Sequence, residues 1–334
     1  MTRRIGRIGI VGGGAWGTAL ATVADRAGRE ALIWAREAEV VDDINARHVN
    51  SLFLPDIALE PAIRATGALA DLAGHDALLL VTPAQALRAV AGELRPHLAN
   101  GKPLVICSKG LEQATGRFLS DVLAEVCPAA VLAVLSGPSF AADVARGLPT
   151  AVTLACADHA LAESLAAALN PPSFRPYVSH DVLGAEIGGA VKNVLAIACG
   201  ICEGRGLGAS ARAALTARGF AELARFGAAL GAHPETLAGL SGLGDLILTC
   251  NSPQSRNMSL GMALGRGETL DEALGARRSV SEGVHTAAAV VARAKKLGID
   301  MPLCQAVHGI VSGAITVDAA IDAILSRPLK REGP

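Results

Sequence analysis

The spacing of apolar residues changes partway along this chain. In the first half, short apolar runs recur at 8–11, 31–34, 77–81, 103–107, 131–135, 151–154 and 174–178, with a weaker one at 62–65. These have the length of strands. Several are separated by stretches of helical period, at 15–27, 84–98, 118–126 and 158–169. Strands that alternate with helices predict a parallel sheet covered on both faces. Beyond about residue 179 the strand-like runs stop, and 182–202, 211–231, 255–264, 281–297 and 303–326 all read as helices. The expected class is therefore α/β, with a doubly wound sheet over 1–178 and an all-helical part over 179–334. A chain of 334 residues is long enough for two domains.

The first predicted strand runs straight into glycines. Gly12, Gly14 and Gly17 stand at the GxGxxG spacing, and Ala15 opens the first helix. Such a loop brings a strand to a helix N-terminus with little side chain in the way. Gly12 permits the turn, Gly14 lets a pyrophosphate approach the backbone, and Gly17 lets helix and strand pack closely. The phosphates then meet unpaired N–H groups at the positive end of the helix dipole. Because the motif follows a strand and opens a helix, it reads as a Rossmann-type cofactor site. The second strand ends near Arg36 and Glu37. An arginine there suits the 2′-phosphate of NADP, whereas a carboxylate suits the ribose hydroxyl of NAD. Arg36 favours NADP, and Glu37 leaves NAD open.

Composition narrows the remaining choices. The net charge of −1 gives no electrostatic reason to expect nucleic acid or an anionic membrane surface. No apolar run approaches the roughly 20 residues of a membrane span. Seven scattered cysteines suit a reducing cytoplasm. Cys199 and Cys202 form a CxxC inside an apolar run with no second pair, which reads as small-residue packing. The histidines show no metal-ligand spacing, so no metal is expected. An Ala-rich helical half with few charges suits a homodimer.

Several polar residues interrupt this apolar background. Lys192 and Asn193 break the helix GAEIGGAVKNVLAIACG. A buried lysine is costly unless paired, and burial lowers its pKa toward the range useful for proton transfer. Lys109 follows the strand at 103–107, on the side where ligands of α/β sheets gather. Asp245 is a lone carboxylate in GLSGLGDLILTC. Ser255, Arg256 and Asn257 are a compact donor set suited to a phosphate. Taken together they supply an acid/base lysine, a carboxylate to tune it and an anion clamp.

These segments resemble the bacterial NAD(P)-dependent glycerol-3-phosphate dehydrogenases almost end to end. The resemblance is carried in order by VGGGAWGTALA (11–21), LIWAR (32–36), FLPDIAL (53–59), SKGLE (108–112), LSGPSFAADVARGLPTA (135–151), GGAVKNVLAIACG (188–200), GLGDLILTC (242–250), SRN (255–257) and SEGV (281–284). It implies a Rossmann domain followed by a helical domain of the 6-phosphogluconate-dehydrogenase type. It also implies interconversion of dihydroxyacetone phosphate and sn-glycerol 3-phosphate, a supply of phospholipid backbone. By the same resemblance Lys192 is the catalytic lysine, Lys109 a second active-site lysine touching substrate and cofactor, and Asp245 the carboxylate that orients Lys192. Gly137, Ser139 and Asn193 match substrate contacts, and Ser255, Arg256 and Asn257 the phosphate end, with Arg256 also near the cofactor. Ala15, Trp16, Arg36, Phe53, Ala141, Val280 and Glu282 match cofactor positions. Ala15 and Phe53 replace residues that are often polar, so contacts there would run through backbone or ring packing. Two other readings share parts of this pattern. A β-hydroxyacid dehydrogenase of the same two-domain plan would lack the phosphate set, and a non-catalytic dinucleotide sensor would need neither lysine.

Overall fold

The computed structural model describes residues 4–275 and 281–328. Its first half runs β1 Arg7–Val11, α1 Ala15–Arg26, β2 Glu30–Trp34, α2 Ala38–Arg47, β3 Val49–Asn50, β4 Leu54–Ala58, β5 Arg64–Thr66, β6 Ala77–Leu80, α3 Leu87–Leu94, β7 Pro103–Ile106, α4 Leu119–Val126, β8 Val131–Ser136, α5 Ala141–Ala145, β9 Thr150–Cys156, α6 His159–Ala168 and β10 Phe174–Ser179. The elements that follow are helices: α7 Val182–Gly204, α8 Ala209–Leu230, α9 Pro234–Ala238, α10 Asp245–Cys250, α11 Arg256–Gly265, α12 Leu270–Gly275, α13 Glu282–Lys296, α14 Pro302–Val311 and α15 Val317–Leu325.

Eight strands form one sheet in the order β10-β9-β8-β7-β6-β1-β2-β5. Strands β5 to β8 pair in parallel about β1, but β9 runs antiparallel to β8 and β10 parallel to β9. The all-parallel expectation therefore fails at one edge. The link between β8 and β9 carries only the short α5 and re-enters the sheet at the end it left, as the pairing of Ser136 with Thr153 requires. Chain order runs outward from β1 through β2 to β5, then returns on its other side through β6. This places the switch point, where ligands of such sheets bind, at the carboxyl end of β1.

Both faces of the central strands are buried, which explains their near-continuous apolar runs, whereas the edge strand β10 leaves Tyr177 and Val178 exposed. Ile8, Ile10, Ile33 and Val105 pack against α1, whereas Val11, Leu78, Leu104 and Ile106 pack toward α3 and α4. A third core surrounds α7. By length and composition that helix could span a bilayer, contrary to the expectation that no apolar run approaches that length, yet most of its surface is covered by protein. It meets α11 backbone to backbone: a Cβ on Gly261 would lie 2.1 Å from the Ile197 carbonyl oxygen, and one on Gly200 2.1 Å from that of Met258.

Two predicted helices are interrupted. The stretch 84–98 holds α3 between short 3-10 turns, the second containing Pro96, which has no N–H to continue the ladder. The stretch 303–326 divides into α14 and α15 near Gly313, whose φ of 73° suits a residue without a side chain.

Candidate active site

The glycine loop shows three separate reasons for glycine. Gly12 has φ 132°, and a Cβ there would lie 2.9 Å from the Val81 carbonyl carbon. At Gly17 a Cβ would lie 1.9 Å from the Gly12 carbonyl oxygen, so α1 can pack on its own entry loop only without a side chain. Gly14 differs, because no protein atom lies within 4 Å of its Cβ position. It precedes α1 without a side-chain cap and faces open space, leaving first-turn N–H groups for an anion. A dinucleotide pyrophosphate fits this cradle.

Asn50, which the sequence gave no reason to single out, holds the loop in place. Its amide donates to the Gly13 carbonyl and to Thr18 Oγ1, each at 2.8 Å, and its Oδ1 accepts from the Phe53 N–H at 3.2 Å. Ala15, Trp16 and Phe53 are half-buried against the sheet core beside it. Gly17→Ala is expected to cost about 1–3 kcal/mol of stability through overpacking and to weaken NADPH binding. Thermal melts and quenching of tryptophan fluorescence by NADPH would check this; a variant unchanged in both would contradict the packing.

Beside this cradle, Arg36 leaves the sheet just after β2 and its guanidinium pairs with Glu37 at 3.1 Å. Arg36 is exposed, and Glu37 precedes the first turn of α2.

The second cluster lies where the helical elements meet the sheet. Asp245 is buried at the start of α10, which continues without a break from the helical turn before it. Its Oδ1 accepts from Lys192 Nζ at 2.5 Å and its Oδ2 from Lys109 Nζ at 2.6 Å, so one carboxylate joins α7 to the loop after β7. A π-turn at Leu240–Gly244 delivers Asp245 to this place. Its glycines are required: a Cβ on Gly242 would lie 1.9 Å from the Leu237 carbonyl oxygen, and one on Gly188 of α7 2.2 Å from that of Ser241. Lys192 also donates to Thr249 Oγ1 at 3.0 Å. Thr249 was missed in the sequence, although its place four residues after Asp245 on one helical face was a usable signal. Lys109 donates in addition to the Gly137 carbonyl at 3.0 Å, which accepts from Ser139 Oγ at the same distance. Ala141 opens α5 immediately beyond.

Burial lowers the Lys192 ammonium to about 8, against the opposing pull of Asp245. A lysine poised there can both give and take a proton near neutral pH.

The donor set at 255–257 is divided in use. Ser255 Oγ caps α11 by accepting from the Met258 N–H at 3.2 Å. Asn257 donates to Asn193 Oδ1 and accepts from the Gly283 N–H, both at 3.0 Å, tying α7, α11 and α13 together. Arg256 is exposed at the start of α11. Glu282, first in α13, reaches the carboxyl end of β6 and accepts from the Ala84 N–H at 3.0 Å; burial raises its carboxyl above the usual range. Val280 lies outside the described residues. Cys199 and Cys202 are buried free thiols.

Known proteins are similar to this chain along its length. Residues 7–162 match the family described as NAD-dependent glycerol-3-phosphate dehydrogenase N-terminus, and residues 181–322 match its C-terminus. A glycerol-3-phosphate dehydrogenase (NAD(P)+) of Parvibaculum lavamentivorans is 65% identical over 332 residues, covering 99% of this chain and 100% of the relative. One from Rhodospirillum rubrum is 61% identical over 334 residues, covering 100% of this chain and 96% of the relative. The crystal structure of a glycerol-3-phosphate dehydrogenase from Coxiella burnetii superimposes with a TM-score of 0.92 at 39% identity, covering 97% of this chain and 99% of that one. The β-hydroxyacid and sensor readings are not favoured by relatives this similar along the whole length. With both halves matched in order, the chain belongs to the NAD-dependent glycerol-3-phosphate dehydrogenase family.

Proposed function

We infer that this protein is an NAD(P)-dependent enzyme that reduces dihydroxyacetone phosphate reversibly to sn-glycerol 3-phosphate. The observation that carries the mechanism is the Lys109–Asp245–Lys192 bridge, which sets a buried lysine with a lowered pKa where the helices meet the sheet. When bound, the nicotinamide supplies the hydride to C2 of the ketone. Lys192 gives its proton to the C2 oxygen in reduction and takes it back from the hydroxyl in oxidation. Asp245 fixes the position of Lys192, and Thr249 fixes the direction of its Nζ. Lys109, held by Asp245 and the Gly137 carbonyl, presents positive charge to the substrate beside Gly137 and Ser139. Asn193 and Asn257 brace the helices around the substrate, and Arg256 with the first turn of α11 takes its phosphate. Gly12, Gly14, Ala15, Trp16, Gly17, Arg36, Phe53, Ala141, Val280 and Glu282 form the cofactor side. A two-domain division near residue 179, a cytoplasmic homodimer and a supply of glycerol phosphate to phospholipid synthesis belong to the same reading.

The deciding experiment follows NADPH and NADH oxidation with dihydroxyacetone phosphate, using unphosphorylated dihydroxyacetone as control. Turnover that ignores the phosphate would sink this assignment.

The pH dependence has a definite sign. Lys192 must be protonated to act as the acid, so the reduction rate should fall as pH rises through about 8. The reverse reaction needs the neutral amine and should rise through the same range. Steady-state profiles in both directions measure this, and a reduction rate flat from about pH 7 to about 10 would remove Lys192 as the proton donor.

A further inference from the structure

We propose that Glu37 sets the cofactor preference, by competing with a 2′-phosphate for Arg36 and by offering its carboxylate to an unphosphorylated ribose. The proposal rests on the dinucleotide reading of the glycine loop and goes beyond the assignment of Arg36 as a cofactor contact.

The position follows from the loop's own packing. The Gly12 N–H donates to the Trp34 carbonyl at 3.0 Å, and a Cβ on Gly13 would lie 2.5 Å from Ala35 Cβ. Residues 34 and 35 are thus locked to the cradle, and residues 36 and 37 are the first to stand clear of the sheet beside it. There the Arg36 side chain is 82% exposed and the Glu37 side chain 35%, with 3.1 Å between guanidinium and carboxylate. Glu37 occupies the residue before α2 in an extended conformation, where a side chain commonly caps the helix, yet it makes no capping bond. Its carboxylate turns to Arg36 instead.

A 2′-phosphate entering this corner meets one guanidinium and the carboxylate paired with it. To bind, it must take Arg36 from Glu37 and tolerate the carboxylate left behind. An unphosphorylated ribose brings hydroxyl donors, which a carboxylate accepts. Because an exposed ion pair is weak, the exchange is easy in either direction, and both cofactors are accommodated. The chain thus carries a device for each within two residues.

The test is Glu37→Gln, which keeps the shape and removes the charge. Calorimetry with adenosine 2′,5′-bisphosphate and with 5′-AMP reads binding without turnover. Kinetics with NADPH and NADH read it with turnover. The variant should bind the bisphosphate about 3–10-fold more tightly while 5′-AMP holds or weakens, and the NADPH-to-NADH ratio of kcat/KM should rise by a similar factor. The gain should shrink as ionic strength increases. Arg36→Ala should move the bisphosphate the other way, which separates the charge effect from a general loosening of the loop. Equal shifts for both probes, or no shift, would overturn the proposal for Glu37 while leaving the cofactor site intact. A wild-type protein that binds neither probe would instead overturn the dinucleotide reading, and the proposal with it.

Discussion

Lys192→Ala is expected to lower kcat by about two to four orders of magnitude while leaving NADPH affinity nearly unchanged. The proton donor would be lost, whereas the cradle at Gly12, Gly14 and Gly17 is built from other elements. The variant should also fold. Asp245 keeps its 2.6 Å bond to Lys109, so the buried carboxylate is not left without a cation. Thr249 loses one donor but is itself within 3.3 Å of Asp245 Oδ1. Lys192→Met, which fills nearly the same space, would separate the chemical loss from a packing defect. Lys192→Arg should remain impaired, because a guanidinium does not give up its proton in this pH range. Stopped-flow and steady-state kinetics, with cofactor titration by fluorescence, measure both halves of the expectation. Retention of a tenth or more of wild-type kcat would remove Lys192 from the role.

Arg256→Ala is expected to cut kcat/KM for dihydroxyacetone phosphate by roughly 30-fold or more, and barely to change the feeble rate with dihydroxyacetone. On the proposed reading the contact would be made to a non-reacting part of the substrate, whose binding would help to orient the carbonyl. The structure sharpens this expectation. Ser255 is engaged as the cap of α11, and Asn257 is engaged with Asn193 and Gly283. Removing Arg256 therefore tests the guanidinium itself, because Ser255 and Asn257 keep these bonds in the variant. Lysine keeps the charge but loses the two-pronged donor geometry, so Arg256→Lys should be intermediate. Equal losses with both substrates would assign Arg256 to the cofactor or to the fold.

Local chemistry written in the chain was enough for the strand–glycine–helix start, the loss of strand-like runs after residue 179, and the oddity of Lys192 in an apolar helix. Each depends on neighbours close in sequence: an apolar period, a glycine where a side chain collides, a charge among alanines. The charged pair Arg36 and Glu37 was legible in the same way, since the two are adjacent.

Only the tertiary structure decided what joins across distance. Asp245 bridges lysines 53 and 136 residues away, and no local pattern announces that a carboxylate accepts from both. Asn50 secures a loop 37 residues before it with an ordinary polar side chain. The reversal of β9 had no signature either, because a strand buried on both faces has the same composition in either direction. Asn257 looked like a ligand donor and also proved to be a brace, since its amide satisfies groups on α7 and α13 that the chain brings near only on folding. Local sequence governs which conformations a segment can adopt, through sterics and hydrophobic period. Which polar groups become partners is decided by burial, because only folding removes the water that would otherwise satisfy each one alone.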